Sequence, residues 1–143
     1  MICLCLDKGD IDQMITLYTD NFSDGWNKNQ LQSSFETGRF IALGVKESGE
    51  LVGVITLTLG LDDADLEGIV VKKSKLNCGI ATFLMEQGIA VVKEKGINKI
   101  LLEVRKSNTP AINLYQKFNF KVIHVRKGYY PDGEDAVIMQ GDL

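Results

Sequence analysis

Between Val71 and Thr82 the chain changes character in a way that suits an anion. An apolar, β-rich run, Leu66 to Val71, passes through a polar and basic stretch, Lys72 to Cys78, into a helix-forming run that starts at Gly79. The first turn of a helix leaves backbone N–H groups without partners and carries the positive end of the helix dipole. Such an end binds phosphate. Gly79 and Ala81 are small, so a diphosphate could approach the backbone closely. Lys72, Lys73 and Lys75 could add positive charge; a plain turn with a solvated lysine loop is the competing reading. Downstream, Glu103 stands among Ile100, Leu101, Leu102 and Val104. A carboxylate in such a strand either pairs with a cation, such as Arg105, or opens on a cleft. Tyr115 sits beside Ile112 and Phe118 in a helical run, where a tyrosine is ordinarily core.

These residues need elements to hold them. Ile2 to Leu6 reads as a short strand. Asp10 can cap a helix with Ile11, Met14, Ile15 and Tyr18 at helical spacing. A second helix, about Asn27 to Thr37, carries the pair Leu31 and Phe35. Phe40 to Val45 and Leu51 to Leu59 are β-rich, with Glu47-Ser48-Gly49-Glu50 as the turn between them. Asp62-Asp63-Ala64-Asp65 interrupts the pattern, and Leu66 to Val71 completes a meander. The helix from Gly79 puts Ile80, Phe83, Leu84, Val91 and Val92 on one stripe and ends at Gly96. Lys99 to Arg105 is a strand, and Thr109 is placed to cap a helix with Pro110 in its first position. Phe120 to Val125 and Ala136 to Met139 close the sheet. This order predicts one α/β domain, residues 1–143, with a mixed, partly antiparallel sheet flanked by helices.

Composition narrows the function classes. Hydrophobic residues make up 45% of the chain and charged residues 24%, which argues against disorder. No apolar run reaches the roughly 20 residues that cross a bilayer, so no membrane partner is expected. Met1 to Asp7 has no basic leader and no small-residue cleavage site, which predicts a cytoplasmic protein. The net charge of −3 comes without a basic patch, so no nucleic acid is expected; a basic peptide remains compatible. Cys3, Cys5 and Cys78 fit neither a disulfide framework nor a zinc site, and the single histidine, His124, reads as structural. No metal is predicted.

With these residues in hand, a resemblance emerges. Leu76-Asn77-Cys78-Gly79-Ile80-Ala81 resembles the (Gln/Arg)-x-x-Gly-x-(Gly/Ala) signature of the GCN5-related acetyltransferase superfamily, with Leu76 in place of Gln or Arg. Leu102-Glu103-Val104-Arg105-Lys106-Ser107-Asn108, followed by Ala111-Ile112-Asn113-Leu114-Tyr115, is similar to a block found in ribosomal-protein N-terminal alanine acetyltransferases. Arg126 to Pro131 and Glu134 to Met139 resemble that group's R-x-x-Y-Y-P and E-D-A-x-x-M segments. Asn119 stands where the group has glycine, and Asn tolerates a left-handed helix terminus well. The resemblance is strong after Ile69 and faint before it, where only Trp26 and Phe35 match.

The resemblance implies the superfamily's fold and acetyl-CoA as co-substrate. It implies that Asn77, Cys78, Gly79, Ile80, Ala81 and Thr82 cradle the pyrophosphate, mostly by backbone. It implies that Ile69, Val70 and Val71 form a strand edge for the pantetheine, with a main-chain N–H polarising the thioester carbonyl. Asn108 would contact acetyl-CoA or merely cap its helix. Glu103 would be the general base and Tyr115 the acid for the leaving thiolate; a phenol of pKa about 10 can protonate a thiolate of about 8.5. Tyr129 and Tyr130 would cover the acceptor, or simply order a turn before Pro131. The expected acceptor is a protein N-terminus, with the N-terminal alanine of a small-subunit ribosomal protein favoured. A lysine or small-amine acetyltransferase and a non-catalytic acyl-CoA-binding module are the alternatives.

Overall fold

The computed structural model describes residues 1–21 and 26–143. Along the chain run β1 (Leu4–Cys5), α1 (Ile11–Asn21), α2 (Lys28–Glu36), β2 (Phe40–Glu47), β3 (Glu50–Leu59) and β4 (Ala64–Val71). There follow α3 (Ile80–Glu94), β5 (Lys99–Arg105), α4 (Thr109–Lys117), β6 (Lys121–Arg126) and β7 (Ala136–Asp142). The strands form one sheet in the order β1-β2-β3-β4-β5-β7-β6. Its only parallel pair among the described residues is β4–β5; the others are antiparallel.

The sheet buries both faces. On one, α3 and α4 pack Ile80, Leu84, Met85, Val92 and Tyr115 onto Ile55, Leu57, Leu66, Ile100, Leu102 and Val104. On the other, α1 and α2 pack Ile11, Met14, Leu17, Tyr18 and Leu31 onto Ala42, Leu51, Val54 and Val70. Gly53 lets α3 come close: a Cβ there would lie 2.6 Å from Ile80 Cγ2. Trp26 and Phe35 both meet Phe40, at 5.5 and 5.0 Å between ring centroids, and seal the rim of the second layer. Among the described residues no helix is long and apolar enough to cross a membrane.

Three local expectations change. The spacing predicts Asp10 as the cap of α1; instead Asp10 ends a short 3-10 turn, Lys8–Asp10, and accepts from Asp7 N and Lys46 Nζ, each at 2.9 Å. Asn108, not Thr109, holds the cap position of α4, its Oδ1 accepting from Ala111 N at 3.3 Å. Finally, β4 starts at Ala64, two residues before Leu66, because Ala64 and Asp65 pair with Leu59 and Thr58 on one side and Ile100 and Leu101 on the other. Two-sided pairing overrides the poor strand propensity of Ala and Asp.

Candidate functional site

The site begins where β4 and β5 part. Their pairing stops after Leu66 opposite Leu102. Beyond it β4 runs on to Val71 paired with β3, and β5 runs on to Arg105 paired with β7. The cause lies in β4: Leu57 pairs with Leu66 and Thr56 with Gly68, so Glu67 is an extra residue. Such a bulge bends and twists its strand. The result is a wedge between the strands with a cavity on either side of the sheet.

The cavity on the α3–α4 side encloses about 600 Å³. Ile69, Val70 and Val71 form one wall with their unpaired strand edge. Asn77, Gly79, Ile80, Ala81 and Thr82 form the floor, and Asn108, Ala111, Leu114 and Tyr115 the opposite wall. Gly79 caps α3 with a left-handed φ of 82°, and Asn77 is also left-handed at 61°. The first α3-turn N–H groups therefore open toward the cavity floor, since the first acceptor bond of the helix is Phe83 N to Gly79 O, 3.0 Å. Among the described residues, two lysines, Lys75 and Lys117, line this cavity and no carboxylate does. Small floor residues, free N–H groups and the lack of a carboxylate among the described lining residues fit a diphosphate-bearing ligand. Tyr115 is 6% exposed, and burial pushes its phenol up to about 12, so it holds its proton throughout the neutral range.

The second cavity, about 660 Å³, lies across the sheet and carries the opposite charge. Side chains alternate along β5: Ile100, Leu102 and Val104 enter the α3–α4 core, so Glu103 faces the other way. There it joins Asp65, Glu67, Thr58, Arg126 and Tyr130. Among the described residues, three carboxylates face one guanidinium. Glu103 Oε1 pairs with Arg126 Nη1 at 3.5 Å, and Glu67 accepts from the Thr58 hydroxyl. Burial raises the Asp65 carboxyl, helped by Asp63 and Glu103; burial likewise raises Glu67, with Thr58 opposing and Asp65 adding. A polar groove of Asn27, Asn29, Gln30, Ser33 and Ser34 continues from this cavity, sharing Trp26 and Glu67 with it.

A hairpin closes the second cavity. Arg105 Nη1 donates to Asp132 at 2.9 Å and Glu134 at 3.1 Å, and its guanidinium lies 4.1 Å from the centre of the Tyr130 ring. Glu134 also takes Ser107 N at 3.1 Å, and Lys106 N donates to Asp135 O at 3.1 Å. The β6–β7 hairpin is thereby tied to the corner that carries Asn108.

The expected site residues fall into place unequally. Ile69, Val70, Val71, Asn77, Gly79, Ile80, Ala81, Thr82, Asn108 and Tyr115 share the first cavity, and Glu103 and Tyr130 share the second. Asn108 both caps α4 and lines its cavity. Cys78 is not on the lining; its thiol lies 3.6 Å from Leu76 O, because the left-handed turn at Asn77 and Gly79 presents backbone rather than the intervening side chain. Tyr129 is outside the second cavity, edge-on to Tyr130 at 5.2 Å with Arg126 over its ring. Glu103 meets Arg126 rather than Arg105, since Arg105 is held by the hairpin carboxylates. Two of the three loop lysines are engaged: Lys72 pairs with Glu50, and Lys75 pairs with Glu47 at 2.7 Å. His124 is exposed on β6, and the described residues contain no cluster able to hold a metal.

Sequence reasoning misses Asp65, Glu67, Arg126 and Lys117. Asp65 hides in an acidic run that reads as a strand break, and Glu67 looks like an outward strand residue. The alternation of Asp65, Glu67 with Leu66 is the one signal that could have put both on the face of Glu103.

The chain is similar in sequence and fold to known proteins. The acetyltransferase (GNAT) family profile matches residues 11–120. A ribosomal protein bS18-alanine N-acetyltransferase of Haemophilus influenzae is 32% identical over 118 residues, 80% of each chain. An N-alpha-acetyltransferase of Sulfurisphaera tokodaii is 32% identical over 151 residues, 94% of this chain and 88% of its own. The crystal structure of the ribosomal-protein-S18-alanine N-acetyltransferase from Escherichia coli matches with a TM-score of 0.91 at 27% identity, over 99% of this chain and 92% of its own.

Proposed function

The chain belongs to the acetyltransferase (GNAT) family, and from that premise we propose that it moves acetyl from acetyl-CoA to the α-amino group of a protein N-terminus. The favoured acceptor is the N-terminal alanine of a small-subunit ribosomal protein, met in the cytosol. Two similar proteins support this: one is named for bS18 alanine and one for N-alpha acetylation.

The carrying observation is the placing of Glu103 and Tyr115 in cavities on opposite sides of one strand gap. Acetyl-CoA supplies the activated acyl group; the α3 floor N–H groups take its diphosphate, and the β4 edge its pantetheine. The acceptor amine enters from the Glu103 side. An α-amine, pKa near 8, loses its proton far more readily than lysine at about 10.4, so Glu103 acting through water suffices as base. Tyr115 returns a proton to the leaving thiolate. Its high pKa makes it a reluctant acid, which suits a thiolate desolvated in the same cavity. The carboxylate excess of the second cavity favours a cationic acceptor segment, and the Asn27–Ser34 groove gives its backbone amides hydrogen-bond partners.

The test is an acetyl-transfer screen across N-terminal peptides of ribosomal proteins, set against N-blocked peptides with free lysines. Transfer confined to α-amines, strongest on an alanine start, is the expected result. Preference for the lysine peptides would reassign the enzyme to side-chain acetylation.

A further inference from the structure

We propose that Lys117 recognises the 3′-phosphate of coenzyme A and sets the enzyme's preference for the phosphorylated coenzyme. This rests on the family's use of acetyl-CoA, not on which amine is acetylated.

Among the described residues, the first cavity holds two cations with different duties. Lys75 belongs to the loop before α3 and already pairs with Glu47 at 2.7 Å. Lys117 lies at the end of α4, exposed, and has no ion-pair partner among the described residues. Asn113, one turn earlier on the same flank, lines the same cavity and is also exposed. Tyr115 is two positions from Lys117, about 200° around the helix. The helix therefore turns the buried phenol toward the strand gap and Asn113 and Lys117 toward the outer rim.

Coenzyme A carries two anionic groups. Its diphosphate is met by main-chain donors at the start of α3. Its 3′-phosphate, with about two negative charges, lies at the adenosine end, farthest from the reacting thioester. A ligand whose thioester is at Tyr115 and whose diphosphate is at Gly79 sends that end to the rim. There, among the described residues, Lys117 is the lining cation without an ion-pair partner, and Asn113 offers an amide beside it. Among the described residues, no carboxylate on the lining competes for either.

The experiment is calorimetric binding of coenzyme A and 3′-dephospho-coenzyme A, without acceptor, to wild type, Lys117→Gln and Lys75→Gln. Wild type should bind coenzyme A about tenfold or more tightly than the dephospho form. Lys117→Gln should lose most of that ratio through the coenzyme A arm alone, its affinity for the dephospho form unchanged. Lys75→Gln should keep the ratio. An unchanged ratio in Lys117→Gln, an equal weakening of both ligands by it, or no preference in wild type would each overturn the assignment. Because no amine is present, failure of the N-terminal reading leaves this result interpretable.

Discussion

Arg105 donates to Glu134 across 3.1 Å and so joins the end of β5 to the hairpin that covers Glu103. The same carboxylate accepts from Ser107 N. One side chain thus ties the end of β5 and the turn after it to the hairpin.

Replacing Glu134 with alanine should therefore loosen the hairpin, while Asn108 keeps its place in the coenzyme cavity through its own bonds to Ala111 N and Arg105 O. We expect the acceptor KM to rise about tenfold, with the affinity for coenzyme A unchanged in the calorimeter. Equal damage to both ligands would mean that Glu134 supports the whole fold.

The hairpin should also open in acid. Hydrogen bonds from Ser107 and Arg105 hold the Glu134 carboxyl below its ordinary value; the Glu134 backbone N–H, followed by Arg105, does the same for Asp132. A carboxyl depressed in the fold contributes stability above its unfolded pKa, about 4, and loses it as pH falls through the folded value. Hydrogen exchange of hairpin amides should accelerate selectively below about pH 4, ahead of amides in β3.

Asp65 and Glu67 carry the opposite sign. Burial raises both carboxyls. A raised carboxyl stabilises the fold while protonated, and that stabilisation is lost as pH rises through the folded value. At neutral pH, Asp65→Asn and Glu67→Gln should each raise Tm by about 1–3 °C and weaken binding of a basic acceptor peptide. A fall in Tm at pH 7 together with normal peptide affinity would sink this account.

Glu103→Gln and Tyr115→Phe should each lower kcat about 100-fold or more, with little change in the affinity for coenzyme A. Wild-type turnover in the double variant would refute both roles. With its phenol pushed up to about 12, Tyr115 should add no alkaline limb to the rate profile below about pH 10.

Gly141 offers a check on packing alone. A Cβ there would fall 2.6 Å from Phe120 Cε1, on a rigid, buried ring. Gly141→Ala should cost about 2 kcal/mol, read from urea unfolding, because the ring cannot move without disturbing β7 and α4.

Much of this molecule was written along the chain. Alternation and helical spacing depend only on near neighbours, so the element order and the bounds of β5 were legible, as was a glycine-started helix after β4. Glu103, Asn108 and Tyr115 stood out only through the resemblance carried by Leu102 to Tyr115; by local pattern alone they read as an ion-paired carboxylate, a helix cap and a core tyrosine. What local pattern could not supply was the company each residue keeps. The Glu67 bulge exists only as a mismatch between β3 and β4, and it sits where β4 parts from β5. Arg126 reaches Glu103 because β7 lies between β5 and β6 and brings their ends to one face. Lys72 and Lys75 find Glu50 and Glu47 because the β2–β3 turn folds against the loop before α3. Charge partners and cavity walls depend on distances between segments remote in sequence, which pairing of the sheet sets after the local elements have formed.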